Sequence, residues 1–168
     1  MYLRMISLAG LMLVMCTSLR STSTNDPRLA GNEATSKAMS ADARMSIVQF
    51  ASQYVGTPYR YGGASPKGFD CSGFTSYVFS NFKLSLPHTS CGQSTLGRAM
   101  KFNDAQPGDL LFFGKGKHIQ HVAIVVLNDG KELHMVHSSS SRGVIIENVK
   151  QSDYWKKRIM FAVDVASL

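Results

Sequence analysis

Hydrophobic residues follow a helical period in the first part of this chain and a strand-like pattern after Gln106-Pro107-Gly108. Beyond that turn, short segments rich in Val, Ile and Phe are separated by turn residues. They predict β-strands over residues 109–113, 120–127, 133–138, 144–149 and 158–165. Asn128-Asp129-Gly130 predicts a hairpin between the second and third strands. Helices followed by a run of strands favour an α+β fold with an antiparallel sheet.

Helices are predicted upstream of the strands. The first begins near Ala41, with Ser40 as its N-cap and Gly56 as the residue that closes it. A loop rich in Gly and Pro follows, and the helical period returns over residues 71–82. Residues 89–96 predict a short third helix. The N-terminal helices are therefore expected to pack on the sheet.

The N-terminal segment has the composition of an export signal. Arg4 precedes an apolar run over residues 6–15, which is shorter than the ~20 residues that a membrane span needs. The polar stretch that follows has no hydrophobic period. We expect a signal peptide over 1–15, a flexible tether over 16–40 and a folded domain over 41–168. A buried first helix is the alternative for the apolar run.

Cys16 directly follows the apolar run, with Leu13 three residues before it. This arrangement resembles a bacterial lipoprotein signal, in which the cysteine is lipidated. A buried apolar cysteine is the alternative. The net charge of +7 favours anionic surroundings, whether nucleic acid, lipid or cell-envelope polymer. Three cysteines do not make a disulfide framework.

Asp70-Cys71-Ser72-Gly73 lies where the glycine-rich loop enters the second helix. Backbone N–H groups at a helix N-terminus have no partner within the helix and carry partial positive charge. This environment predicts a lowered pKa for the Cys71 thiol, and the same amides could stabilise an oxyanion. Cys71 is therefore a candidate nucleophile. The alternative is a structural cysteine on the core side, since Phe74 follows three residues later.

Two of the five histidines are predicted to meet across the hairpin. His121 and His137 each lie eight residues from Asp129, so a hairpin centred there places them directly opposite each other. Their imidazoles would then be close enough for a hydrogen bond. We predict that His121 is the base for Cys71 and that His137 orients it.

A zinc site is the competing interpretation of the histidines. His118 and His121, together with His134 and His137, imitate a two-plus-two ligand pattern. On strands, however, side chains three residues apart point to opposite faces of the sheet. The spacing therefore favours the cysteine–histidine site, with no metal and no cofactor.

Together these motifs resemble the NlpC-type (NlpC/P60) family of papain-like bacterial cell-wall cysteine peptidases, over about residues 44–164. The segments that carry the resemblance are Gly56-Thr57-Pro58-Tyr59-Arg60-Tyr61-Gly62-Gly63, Phe69-Asp70-Cys71-Ser72-Gly73-Phe74, Leu86-Pro87, Pro107-Gly108-Asp109-Leu110, His121-Val122, Val136-His137 and Tyr154-Trp155-Lys156-Lys157-Arg158. The resemblance implies a papain-like fold with the nucleophile at a helix N-terminus. It assigns Cys71, His121 and His137 to catalysis, starting from a thiolate–imidazolium pair. It also makes Tyr59, Asp70 and Ser72 candidate substrate contacts, with packing and helix capping as their alternatives.

The resemblance further implies hydrolysis of amide bonds in peptidoglycan stem peptides, either D-glutamyl-diaminopimelate bonds or D-alanyl-diaminopimelate cross-links. The layout resembles that of single-domain murein endopeptidase lipoproteins. We accordingly expect a monomer in the cell envelope, lipid-anchored to a membrane and facing the periplasm, with no nucleic-acid partner. A non-catalytic wall-binding lipoprotein, or an acyltransferase or amidase using the same site, are the alternatives.

Overall fold

The computed structural model describes residues 39–167. Its helices are α1 (Ala41–Ser52), α2 (Cys71–Ser80), α3 (Ser90–Gln93) and α4 (Asp153–Lys156). Its strands are β1 (Ala64–Ser65), β2 (Gly68–Phe69), β3 (Arg98–Met100), β4 (Leu110–Lys115), β5 (His118–Asn128), β6 (Leu133–Ser139), β7 (Gly143–Asn148) and β8 (Ile159–Asp164). The predicted signal peptide, Cys16 and nearly all of the predicted tether lie outside the described residues.

Six strands form one antiparallel sheet in the order β3-β8-β4-β5-β6-β7, and β1 pairs with β2 in a separate small hairpin. The predicted α+β fold with an antiparallel sheet is confirmed. The five predicted strands correspond to β4 through β8. Strands β1 to β3 and helix α4 were not predicted, because elements of two to four residues carry too little hydrophobic pattern.

The predicted helices are present but shorter than expected. Ser40 caps α1 as predicted, since its hydroxyl oxygen accepts a hydrogen bond from the Ala43 N–H at 3.2 Å. Gly56 does not close this helix, which ends at Ser52. Instead Gly56 adopts a φ of +92° and donates its N–H to the carbonyl of Val144 at 2.9 Å. The glycine therefore joins the chain to β7 four residues after the helix has ended.

Both faces of the large sheet are covered by apolar side chains. One face packs against α1 and α2 through fully buried residues that include Phe74, Val122 and Val136. The other face is covered by α4, whose Trp155 packs in a cluster with Phe113 and Met135. None of the helices within residues 39–167 combines the length and the apolarity needed to cross a membrane.

The β5–β6 hairpin is present, but its register differs from the prediction by two residues. Ile124 lies opposite Val136, so continuing the register would place Ala123, rather than His121, opposite His137. The Asp129 carboxylate accepts hydrogen bonds from the N–H groups of Lys131 and Glu132, which shapes a longer turn. A shift of two residues keeps side chains on the same face. His121 and His137 therefore meet diagonally instead of directly.

Candidate active site

Cys71 is the first residue of α2, and the residue before it shapes this helix end. The Asp70 carboxylate accepts hydrogen bonds from the N–H of Gly73 at 2.6 Å and from the hydroxyl of Ser72 at 3.0 Å. It caps the helix in this way and occupies one free amide. The N–H groups of Cys71 and Ser72 point instead to the Cys71 sulfur.

The part of β5 that does not pair with β6 lies near the Cys71 sulfur. The N–H of Val125 donates to the carbonyl of Asp109, and the carbonyl of Val125 accepts from the N–H of Gly108, both on the β4 side. Because the backbone groups of successive strand residues face alternate sides, the N–H of Val122, three residues earlier, faces the β6 side. Pairing with β6 stops at Ile124, two residues away. The Val122 N–H is therefore available, and it lies near enough to Cys71 to lower the pKa of its thiol. The sulfur thus lies beside the residue that follows His121.

The two predicted histidines are in contact. His121 Nε2 and His137 Nδ1 are 2.9 Å apart, and the two rings are nearly perpendicular. Trp155 stacks on the His121 ring with its centroid at 4.9 Å. His137 is fully buried. The predicted imidazole–imidazole hydrogen bond is confirmed, whereas the catalytic roles of the two residues stay predictions.

Burial controls the protonation of the pair. It raises the pKa of the Cys71 thiol, although hydrogen bonds from the Val122, Ser72 and Cys71 amides act in the opposite direction. Burial also lowers the pKa of His121 to about 3, with a further contribution from His137. The sequence-based prediction of a lowered thiol pKa is therefore wrong, because desolvation outweighs the helix N-terminus. Both groups are neutral in the resting protein at pH 7.

Glu147 on β7 continues the chain of contacts, and the sequence analysis missed it. Its Oε1 lies 2.7 Å from His137 Nε2 and accepts a hydrogen bond from Trp155 Nε1 at 2.8 Å. Its Oε2 accepts a hydrogen bond from the Arg142 guanidinium at 2.7 Å. The available signal was an acidic residue inside an otherwise apolar strand, next to the strand that carries His137.

The three predicted substrate contacts line one cleft with the sulfur. This Cys71 cleft has a volume of about 400 Å³, and Tyr59, Asp70, Ser72, His88 and Gln120 are among its walls. Burial raises the pKa of Tyr59, and the nearby Cys71 and Asp70 add to the effect. Ser72 is 6% exposed and its hydroxyl donates to the Asp70 carboxylate, so it supports the N-cap residue rather than capping the helix itself. Asp70 combines capping with a place in the cleft wall.

A second cleft opens on the other side of the histidine. This His121 cleft, of about 320 Å³, is lined by Ser139, Ser140, Ser141, Arg142, Glu147, Ser152, Tyr154 and Trp155 in addition to His121. Cys71 and His121 thus line two different polar depressions.

Of the four histidines of the zinc alternative, His121 and His137 are in contact, but His118 and His134 do not join them. His134 contacts the Glu132 carboxylate at 2.9 Å, and His118 is exposed at the start of β5. Between residues 39 and 167, no group of three or more His, Cys, Asp or Glu side chains is placed to hold a metal ion. The geometry therefore supports a cysteine–histidine site.

The chain is similar to proteins of one known family. Residues 56–164 match the model of the NlpC/P60 family. The chain is 42% identical over 126 residues to a gamma-DL-glutamyl hydrolase of Bacillus subtilis, covering 72% of this chain and 30% of that protein. It is 36% identical over 118 residues to the Escherichia coli murein DD-endopeptidase MepS/murein LD-carboxypeptidase, covering 70% of this chain and 60% of that protein. The crystal structure of the NlpC/p60 domain of the peptidoglycan hydrolase SagA superposes with a TM-score of 0.61 at 34% identity, over 71% of this chain and 97% of that one.

Proposed function

The chain belongs to the NlpC/P60 family, and from that premise we propose that it is a cysteine peptidase which hydrolyses amide bonds in peptidoglycan stem peptides. The observation that carries the proposal is the convergence of Cys71, at the start of α2, with the linked histidines of β5 and β6. A largely buried thiol near the strand residue that follows a buried, hydrogen-bonded imidazole supports nucleophilic catalysis by a cysteine–histidine pair. A wall-binding module without catalysis does not require it.

In the first half-reaction, the Cys71 sulfur attacks the scissile carbonyl carbon while its proton passes to His121. A carbon–sulfur bond forms, and the carbonyl oxygen becomes an oxyanion. The N–H groups of Cys71 and Ser72 lie beside the sulfur at the helix N-terminus and can donate to that oxyanion once it forms. His121 then protonates the leaving amine, the carbon–nitrogen bond breaks, and a thioester remains on Cys71.

In the second half-reaction, water attacks the thioester carbonyl and gives a proton to His121. The carbon–sulfur bond breaks, the acid product leaves, and His121 returns the proton to the Cys71 sulfur. The resting pair starts neutral, so the proton moves as the sulfur attacks. The mechanism therefore differs from the thiolate–imidazolium starting state expected from the resemblance.

Two scissile bonds fit the proposal. The Bacillus subtilis relative is named a gamma-DL-glutamyl hydrolase, which favours the D-glutamyl-diaminopimelate bond. The Escherichia coli relative is named a murein DD-endopeptidase, which favours the D-alanyl-diaminopimelate cross-link. The chain spans only 30% and 60% of the length of these proteins. Both bonds therefore remain candidates, and one digestion experiment distinguishes them.

The test is mass spectrometry of purified muropeptides after digestion with wild type and with Cys71→Ala. We expect wild type to release fragments cut at one of the two bonds. In Cys71→Ala we expect the rate to fall about 10⁴-fold or more, with an unchanged unfolding midpoint. Cys91→Ala is the matched control, since this free cysteine is exposed on α3. Cleavage by Cys71→Ala at the wild-type rate, or wild-type activity lost with EDTA and restored by zinc, contradicts the proposal.

We further propose that the domain works in the cell envelope, exported by residues 1–15, anchored through lipid on Cys16 and acting as a monomer. The apolar run and the position of the cysteine directly after it support this. Cys16→Ser is expected to move the protein from the membrane fraction to the soluble periplasmic fraction. Unchanged membrane association of Cys16→Ser contradicts the lipid anchor, and the catalytic proposal is unaffected by that result.

A further inference from the structure

The hydrogen-bond partners of Glu147 determine where the protons lie on both histidines. Burial raises the pKa of this carboxyl, but the hydrogen bonds from Arg142, Trp155 and His137 outweigh burial and lower it. Glu147 is therefore ionised and can only accept hydrogen bonds. Because His137 Nε2 lies 2.7 Å from its Oε1, this nitrogen must carry a proton.

The proton on His137 Nε2 determines which histidine donates the hydrogen bond between the two rings. Burial lowers the pKa of His137, so the ring is neutral at pH 7. A neutral imidazole with a proton on Nε2 presents a lone pair at Nδ1. The 2.9 Å contact with His121 must then be a hydrogen bond donated by His121 Nε2. His121 is neutral as well, which leaves its Nδ1 as a bare lone pair.

The bare nitrogen lies on the side of the ring nearer the backbone. Nδ1 is bonded to the ring carbon that joins the side chain, and the N–H of the following residue, Val122, lies near enough to Cys71 to lower the pKa of its thiol. Nδ1 is thus the nitrogen that is free to accept the thiol proton. With the opposite tautomer, this nitrogen would carry a proton and His121 could not act as the base.

We propose that Glu147 is a positioning residue that sets the tautomers of His137 and His121, so that His121 Nδ1 is the base for Cys71. Glu147 touches no substrate in this proposal and acts only through His137. Its charge also stabilises the imidazolium that forms on His121 during the reaction. Arg142 and Trp155 hold the carboxylate in place by occupying its remaining acceptor positions.

The kinetic test of this inference rests on the proposed function, whereas the NMR test does not. Nitrogen-15 NMR of the resting protein, without substrate, reports the tautomer of each histidine. In wild type we expect both His121 and His137 to carry the proton on Nε2. In Glu147→Leu, which offers no acceptor, we expect a mixture of tautomers on both rings. Tautomers of Glu147→Leu identical to those of wild type overturn the proposal.

Kinetics separate positioning from a structural role. Glu147→Gln retains an acceptor oxygen without the charge, and we expect kcat to fall about 10-fold with KM nearly unchanged. Glu147→Leu is expected to lose about 100-fold in kcat. Glu132→Gln is the matched control, because Glu132 makes a similar contact with His134 away from the sulfur. Equal kcat in Glu147→Leu and Glu132→Gln, measured on folded protein, contradicts the proposal. If Cys71→Ala is fully active, the proposed function fails while the NMR result stands.

A basic groove lies beside the Cys71 cleft and supports a second, independent inference. The groove measures about 360 Å³ and is lined by Gly114, Lys115, Gln120, Lys157 and Arg158. Gln120 also lines the Cys71 cleft, so the two depressions share a wall. No carboxylate lines the groove, and within residues 39–167 neither lysine has an ion-pair partner.

Arg158 is held in place before any ligand arrives. Its guanidinium lies 3.7 Å above the centroid of the Tyr154 ring and donates a hydrogen bond to the Tyr154 carbonyl at 3.1 Å. An ordered guanidinium and two lysine ammonium groups that line the same groove complement the charge of a carboxylate, and the planar guanidinium can bind it through two parallel hydrogen bonds. We infer that this groove binds a free carboxylate of the substrate chain, away from the scissile amide. This inference rests on the proposed function.

The test compares two peptide substrates that differ only in a carboxylate and a carboxamide outside the scissile bond. We expect wild type to prefer the carboxylate by about 10-fold in kcat/KM, and we expect Lys115→Gln with Lys157→Gln to remove the preference. Lys83→Gln with Lys131→Gln changes the net charge equally and should keep the preference. If wild type cleaves both peptides equally, only the carboxylate site in the groove is contradicted. If wild type cleaves neither peptide, the proposed function is contradicted.

Discussion

At the level of single residues, reactivity at this site depends on burial more than on the helix end. The Cys71 sulfur receives backbone N–H groups, yet desolvation still raises its pKa. The same desolvation lowers the pKa of His121 to about 3. Each neutral group avoids the cost of a charge in a water-poor site. The resting protein therefore keeps both the Cys71 thiol and the His121 imidazole neutral.

This state predicts the pH dependence of alkylation. In a Cys16→Ser, Cys91→Ser background, we expect the rate of Cys71 modification by iodoacetamide to keep rising beyond pH 9, because the thiolate forms only above the ordinary thiol pKa of 9.0. Stopped-flow measurement from pH 5 to pH 10 checks this. A rate that levels off below pH 7 would show a thiolate–imidazolium pair instead.

The sequence was sufficient to predict some of these residues and not others. Cys71, His121 and His137 follow from a helix start and a hairpin, which are local patterns. Glu147 lies on a different strand, and its contact with His137 depends on how β7 pairs with β6. The thiol pKa depends on burial from several elements at once. Neither property can be derived from residues close together in the chain.

Among the elements, α1 is fastened to the sheet by a buried ion cluster. Arg44 is 7% exposed and donates to Asp109 at 2.6 Å and to Asp164 at 2.9 Å. Burial raises the pKa of Asp164, but hydrogen bonds from Arg98, the Ala166 amide and Arg44 lower it overall. The cluster joins the first helix to the turn before β4 and to the end of β8.

Loss of Arg44 is expected to destabilise the protein strongly. Arg44→Met leaves buried carboxylates without their shared cation, and we expect the free energy of unfolding in urea to fall by about 3–5 kcal/mol. Arg98→Met is the matched control, since it also binds Asp164 but its side chain is 74% exposed. For this variant we expect a loss below about 1 kcal/mol. Equal losses in the two variants would contradict a role for burial.

For the β5–β6 hairpin, the sequence predicts the two strands correctly but not their register. Alternation of apolar residues gave the strands and the shared face of the two histidines. The register depended on the side chain of Asp129, which stabilises a four-residue turn, and on an irregularity between Val125 and Leu127. Such turn chemistry is not visible in hydrophobic periodicity. The two-residue error therefore preserved the contact and changed only its geometry.

For the molecule as a whole, the buried histidines connect the site to stability. His121 and His137 are held neutral, and both have lowered pKa values in the folded state. In the unfolded chain they regain an ordinary pKa near 6.5 and bind protons as the pH falls below that value. In the folded protein the pKa of His121 is about 3, and the pKa of His137 is also below its ordinary value, so both bind protons at lower pH than in the unfolded chain. Stability is therefore complete above about pH 6.5 and decreases towards acid.

The resulting prediction concerns the slope of stability against pH. Between pH 6.5 and 4.5, above the ordinary carboxyl range, His121 should reduce the free energy of unfolding by up to ~1.4 kcal/mol per pH unit, and His137 should act in the same direction. Urea unfolding at pH 7, 6 and 5 measures this slope, and His121→Gln should remove the contribution of one histidine from it. His118→Gln is the control, because its exposed ring is solvated in both states. An identical slope in wild type and His121→Gln would mean that His121 takes up its proton in the folded state, and the neutral resting pair would then have to be abandoned.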